Sequence, residues 1–321
     1  MYMYITLNII NNMKRTLLIL VFGLCVATTA IAQSDADTNK AWKFGGIFNL
    51  AISQTGMVNW TAGGENTVSG TVLFKYSADY AKDKWIWDND MVIGYGGLIK
   101  GNSPWEKTDD RIEITTKLGK EAKKNWYYTA FINFRTQMLD GYKLPDDSTL
   151  ISTWMAPGYV TAGIGMEYKP NKFFYVNISP IASKFTIVAN QDLADFGAYG
   201  VEKAEYDTNN VRTKAGLQYR YEFGGNITLQ FKKEIVKNVE LDTKLNFFSN
   251  YLENPQNIDV NWDLMLNMKV NKWLSASIST NLIYDHDIDV PLDRDDDGVD
   301  DGFGPRTQFK EVIGVGLNMT F

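Results

Sequence analysis

Glu311-Val312-Ile313-Gly314-Val315-Gly316-Leu317-Asn318-Met319-Thr320-Phe321 reads as one alternating strand that ends on an aromatic residue. Ile313, Val315, Leu317, Met319 and Phe321 fall on one face; Gly314, Gly316, Asn318 and Thr320 fall on the other. A soluble fold has no need of a Phe at the end of a strand. The closing strand of an outer-membrane β-barrel usually has one, because the barrel-assembly machinery captures that strand. The spacing of Gly316, Met319 and Phe321 follows this assembly signal, with Gly314 standing where a polar residue is usual.

Period-two alternation, the mark of a strand with two unlike faces, runs through most of the chain, and no segment has a helical period. Val68, Gly70, Val72, Phe74, Tyr76, Ala78 and Tyr80 oppose Ser69, Thr71, Lys75, Ser77 and Asp79. Tyr128, Ala130, Ile132, Phe134 and Met138 oppose Thr129, Asn133, Arg135 and Gln137. Leu245 and Phe247 oppose Asp242, Lys244 and Asn246. Val260, Trp262, Leu264, Leu266, Met268 and Val270 oppose Asp259, Asn261, Asp263, Asn267 and Lys269. Lipid requires an apolar outer face and a closed ring of paired backbones, and the two together give this pattern.

Five short polar turns punctuate the strands: Asp83-Lys84-Trp85, Lys124-Asn125-Trp126, Asn171-Lys172-Phe173, Lys237-Asn238-Val239 and Asn271-Lys272-Trp273. Four of them lead straight into an aromatic residue, as expected of tight periplasmic turns with an interfacial aromatic girdle. Longer connections alternate with them, at about 55–66, 101–109, 143–157, 189–209, 252–257 and 289–306. The count predicts an all-β, transmembrane, antiparallel up-and-down barrel of about 12 strands, of outer-membrane type. Val211 to Phe231 alternates without a phase break and is read as one long strand, although it can also split at Gly224-Gly225-Asn226.

The other end of the chain is consistent with export. Met13-Lys14-Arg15, an apolar run from Leu17 to Val26 and the Ala30-Ile31-Ala32 site before Gln33 read as a secretory signal peptide. Residues 1–32 are therefore assigned as an upstream extension and leader, starting at Met13 and cleaved after Ala32. Residues 33–40 form a periplasmic segment, and 41–321 form the barrel. Cys25, the one cysteine, lies in the leader, so disulfide and cysteine-zinc chemistry are excluded from the mature part. A net charge of −6 argues against nucleic acid as a partner.

With Trp42-Lys43-Phe44-Gly45-Gly46 and the loop Asn59-Trp60-Thr61-Ala62-Gly63-Gly64-Glu65-Asn66 added, the chain resembles a Bacteroidota outer-membrane barrel family known only as a domain of unknown function. The resemblance implies the fold and an outer-membrane location over nearly the whole mature chain. It implies no substrate.

Four features carry candidate chemistry. Asp293, Asp295, Asp297 and Asp301, with Gly298, fit the alternate-carboxylate spacing of a calcium loop over residues 293–304; the other reading is a solvated acidic loop tip. Trp60, Glu65 and Asn66 offer stacking and hydrogen bonds to a ligand such as a sugar, or a loop packed on itself. His286, the single histidine, stands between Asp285 and Asp287 and lacks the Ser two residues on that outer-membrane phospholipases have. An enzyme is accordingly not expected, and no cofactor is required beyond calcium in that one loop. The fourth feature is a lumen of mixed charge: Lys75, Asp79, Asp88, Asp90, Arg111, Glu113, Lys117, Arg135, Lys214, Arg220, Glu222, Asp242, Lys244, Asp263 and Lys269. Mixed signs suit a narrow watery passage or a salt-bridged interior. The sequence thus predicts a monomeric barrel that passes small solutes, or a non-conducting barrel whose loops contact envelope partners. The expected partners are outer-membrane lipid, lipopolysaccharide and the barrel-assembly machinery.

Overall fold

Twelve alternating segments do form strands. In the computed structural model, residues 41–57, 66–101, 103–143, 148–292 and 301–321 are described. The strands are β1 (Trp42–Thr55), β2 (Thr67–Lys82), β3 (Trp85–Lys100), β4 (Glu106–Lys123), β5 (Trp126–Thr136) and β6 (Gly158–Asn171). They continue as β7 (Phe174–Ile187), β8 (Tyr219–Val236), β9 (Val239–Asn250), β10 (Ile258–Lys269), β11 (Leu274–Tyr284) and β12 (Gln308–Thr320). Each pairs antiparallel with its sequence neighbours, and β12 pairs with β1, so the sheet closes into an up-and-down barrel. Short turns join the strands at one rim and longer connections join them at the other.

The wall inverts the rule of a soluble protein. Ile114, Leu118, Ile132, Ile164, Ile181, Ile313 and Val315 are exposed on the outside, while Glu113, Lys117, Thr129, Glu167, Asn177 and Glu222 are buried inside. Alternation along each strand makes both faces at once. At the short-turn rim, Asn125 and Asn238 take the left-handed backbone that a tight hairpin requires. Trp85, Trp126 and Trp273 stand exposed there, and Trp42 stacks with Phe44 and tilts against Tyr80 and Trp87.

Closure rests on a short seam. Ile47–Ala51 pair with Gly316–Thr320, whereas β1 pairs with β2 along its whole length. A Cβ on Gly316 would lie 2.0 Å from the carbonyl oxygen of Leu50, so no larger residue fits at this crossing. Gly316 and Met319, read from sequence as part of an assembly signal, are thus also seam residues; Phe321 follows the strand.

One segment departs from the sequence reading. Val211–Phe231 is not a single strand: β8 begins at Tyr219, and Arg212–Lys214 instead pair with Glu205–Tyr206 in a separate hairpin. The backbone between them is claimed by other partners. Gly216 N–H donates to the Asp195 carboxylate (2.8 Å), Leu217 N–H donates to Glu202 O (2.8 Å), and Gln218 O accepts from Val188 N–H (2.8 Å). Gly224-Gly225-Asn226 is not a turn either; it lies inside β8, at a register shift against β7.

Residues 137–143, 148–157 and 188–218 build a cap at the long-loop rim. Ala156, Val188, Leu193, Ala194 and Val201 form a small buried core, with Leu150, Ala198 and Tyr199 packed against it. The one-turn helix α1 (Gln191–Asp195) is capped by Asn190, whose side chain accepts from Leu193 N–H at 3.0 Å. Asp195 accepts from Gln191 Nε2 and Gly216 N–H and pairs with Arg212, contacts that hold its carboxyl below the usual aspartate range.

Candidate functional site

The inward face holds three tiers of ion pairs, and the most telling contacts join strands far apart around the ring. At the waist, Arg111 on β4 donates to Asp263 on β10 at 2.8 Å. These strands are six apart in either direction, so this pair spans the barrel's diameter. Arg111 also holds Glu113, which accepts from Lys244 of β9 (3.4 Å) and from Asn133 Nδ2 (2.9 Å). Two charges in such a bidentate, shared arrangement are fixed far better than an isolated surface pair.

The upper tier lies below the cap. Lys184 of β7 donates to Asp259 of β10 at 2.7 Å and to Asp285, just past β11, at 2.8 Å. Arg220 pairs with Glu222 at 2.9 Å and with Asp287 at 3.3 Å. Burial raises the Asp285 carboxyl, but the Lys184 ammonium and the Arg220 guanidinium outweigh burial and hold it below the usual aspartate range. In the cap above, burial pushes the Tyr199 phenol up, while its hydroxyl donates to Ile151 O at 2.7 Å.

The lower tier, toward the short-turn rim, joins Lys117 to Asp88 (3.2 Å) and to the fully buried Glu167, and Lys169 to Asp88 (3.2 Å). Lys75 of β2 reaches Asp242 of β9 at 3.6 Å. Asp79 and Asp90 share this inward face and make no ion pair among the described residues. Between the waist and the upper tier lies a cavity of about 150 Å³. Its walls include Glu113, Lys117, Asn133, Arg135, Tyr159, Thr161, Tyr175, Lys184, Lys244, Asp259, Asp263 and Asp285.

The lumen residues named from sequence divide as follows. Lys75, Asp88, Arg111, Glu113, Lys117, Arg220, Glu222, Asp242, Lys244 and Asp263 meet in the ion-pair tiers, and Arg135 faces the cavity. Lys214 does not enter the lumen: it sits on the exposed cap hairpin and pairs with Glu202 and Glu205. Lys269 is exposed at the end of β10. The lumen residues named from sequence did not include Lys184, Glu167, Asp259 or Asp285, although Asp259 stood on the polar face of its strand and Asp285 beside His286. The signal for Lys184 and Glu167 was available in the alternation of Ser183-Lys184-Phe185 and Met166-Glu167-Tyr168.

Of the other candidates, Asp293, Asp295 and Asp297 lie outside the described residues, as do Trp60 and Glu65. Asp301 is exposed, and its N–H donates to Leu292 O at 2.7 Å. Asn66 closes its own loop, accepting from Met57 N–H at 2.5 Å. His286 is exposed, with Nδ1 3.3 Å from the Tyr284 hydroxyl. Among the described residues no three His, Cys, Asp or Glu side chains are grouped to hold a metal ion.

A family described as "Protein of unknown function (DUF3078)" matches residues 52–142, and one described as "Protein of unknown function, DUF481" matches residues 160–297. The two stretches are parts of a single closed barrel here, since β5 and β6 are hydrogen-bonded neighbours. No curated protein matches the sequence. Among solved structures, the chain is similar to an outer membrane channel from Pseudomonas putida F1 (9% identity, 89% of this chain and 100% of that one, TM-score 0.37). It is also similar to the NanC porin (8% identity, 85% and 98%, TM-score 0.36). A third is the translocator domain of the autotransporter NalP from Neisseria meningitidis (8% identity, 94% and 95%, TM-score 0.32).

Proposed function

We propose that this chain is an outer-membrane barrel that passes small polar solutes through its lumen, with the cross-barrel ion pairs as its constriction. The location is supported by the wall. Its outside is apolar and exposed, its backbone groups are paired in a closed ring, and β4 at 18 residues exceeds the roughly 9–11 residues that cross a bilayer. The short-turn rim joins exposed tryptophans to lysines, with Lys120 lying 5.3 Å from the Trp85 ring, a pairing suited to an interface of lipid and water. In this orientation the cap and the segments 285–292 and 301–307 face outward. There they would meet lipopolysaccharide, and calcium would stiffen the 293–304 loop.

The observation that carries the passage reading is the cavity between two tiers of charge, ringed by Glu113, Arg135, Lys184, Lys244, Asp259 and Asp263. The side chains of Arg111, Asp263 and Lys244 stay about a quarter exposed, and partly solvated ion pairs are cheaper to rearrange as a solute passes than close-packed apolar side chains. A second reading has its own support. The Arg111–Asp263 contact crosses the whole diameter, as in a barrel that conducts nothing and acts through its loops.

Conductance in planar bilayers separates the two. The passage reading expects small, reproducible steps from the refolded barrel and at least a twofold larger step from Arg111→Ala, which removes the diametric contact. Silence from both proteins, each folded and heat-modifiable, would establish the structural reading.

A further inference from the structure

The charges around the cavity match in number but not in pairing. Four cations line it, Lys117, Arg135, Lys184 and Lys244, together with four carboxylates, Glu113, Asp259, Asp263 and Asp285. Every one of these carboxylates has a cation at ion-pair distance, and Lys117, Lys184 and Lys244 each have a carboxylate. Arg135 has none. Its cross-strand neighbour is Glu113, but that carboxylate is taken by Arg111, Lys244 and Asn133. The Arg135 guanidinium lies instead against the ring of Tyr159, 5.5 Å from its centroid, and its N–H donors make no hydrogen bond among the described residues.

A half-enclosed guanidinium without an anion costs free energy, because its fork of donors is built for a carboxylate and has only solvent to serve. The polar groups nearby are similarly uncommitted. The hydroxyls of Tyr159, Thr161 and Tyr175 line the same cavity and make no hydrogen bond within the protein among the described residues. A free cation fork beside three free hydroxyls is a recognition surface for one chemistry: a carboxylate attached to a small hydroxylated body. The size is set by the cavity. A space of about 150 Å³ holds a molecule of benzene's size, which is six or seven non-hydrogen atoms.

We infer that the cavity binds a small hydroxy-carboxylate, with Arg135 taking the carboxylate and the hydroxyls of Tyr159, Thr161 and Tyr175 taking the body. As the class of solute carried, this rests on the passage reading; as a binding site, it stands on the cavity itself. Ligand carboxylate and Arg135 would meet as a bidentate pair shielded from the bulk, where such a pair is strongest. Lysine at this position would keep the charge and lose the fork.

Glycerate and glycerol share a carbon skeleton and differ by the carboxylate, so calorimetric titration of both into the refolded full barrel in detergent reads the site directly. Glycerate is expected to bind at least tenfold more tightly than glycerol. Arg135→Gln should abolish that preference, and Lys214→Gln, which removes a cation from the exposed cap, should keep it. If Arg135→Gln does not refold, Arg135→Lys replaces it, with an expected three- to tenfold loss. Equal binding of glycerate and glycerol, or unchanged binding by the Arg135 variant, overturns the site. Liposome flux of glycerate is measured alongside. Binding without flux leaves the site standing and overturns the passage reading; flux with no preference for glycerate over glycerol overturns the site and keeps the passage.

Discussion

The cap and the wall are folded by opposite rules within one chain. In the cap, Val188, Leu193, Ala194 and Val201 turn inward and polar groups turn out, as in any water-soluble domain. In the wall, Ile114, Ile132 and Ile164 turn outward while Glu113, Lys117 and Glu167 turn in. Each region hides from its solvent whatever that solvent dislikes. The cap is therefore stabilised by desolvated apolar area, and the wall by paired backbone and by ion pairs on its inward face. The boundary between the two rules falls at Ile187–Val188 and again at Gln218–Tyr219, where β7 ends and β8 begins.

Exchanging one rule for the other should do the most damage. Val188→Asp places an unpaired carboxylate in the cap's fully buried core, at a cost of about 3–5 kcal/mol. The expected outcome is rapid proteolysis between residues 188 and 218, with the barrel's heat-modifiable mobility on a gel retained. Loss of the barrel band as well would mean that cap and wall fold as one unit.

The reciprocal change is Ile132→Arg on the exposed outer face of β5, which costs about 2–4 kcal/mol if that face meets lipid near the bilayer centre. Urea unfolding in phospholipid vesicles measures it. A change near zero would place Ile132 in water, against the membrane assignment. The gentlest probe is Asn190→Ala, which removes the α1 cap for about 1 kcal/mol. Hydrogen exchange at Leu193 should quicken roughly fivefold while the wall's amides keep their protection.

The same contrast explains what could be read from sequence. The wall was legible because strand alternation is local: each residue's neighbour two positions away reports its face, and turns such as Lys124-Asn125-Trp126 mark where the chain reverses. The cap was not. Ala156, Val188, Leu193 and Val201 have no common period and are brought together only by tertiary contact. The same cause misled the reading of Val211–Phe231, whose alternation persists through Gly216 and Leu217 although their N–H groups bond to the cap. The lumen was half legible. Alternation puts Arg111 and Asp263 on the inward face, but that they meet across the ring follows from the strand count and the stagger. The freedom of Arg135 is further still from the sequence, because it depends on Glu113 already being occupied.

The strip Gly316–Thr320 against Ile47–Ala51 makes a cylinder out of what is otherwise a ribbon. Every other junction in the wall is longer, so the work of staying circular is concentrated in five residues of each edge strand. Lengthening the Gly316 side chain by one carbon would drive it into the Leu50 carbonyl and pry that junction apart. Both edges would then present bare donors and acceptors to hydrocarbon, at several kcal/mol for each group. Topologically, the barrel has a single zip, and it is fastened by a hydrogen atom in place of a methyl group.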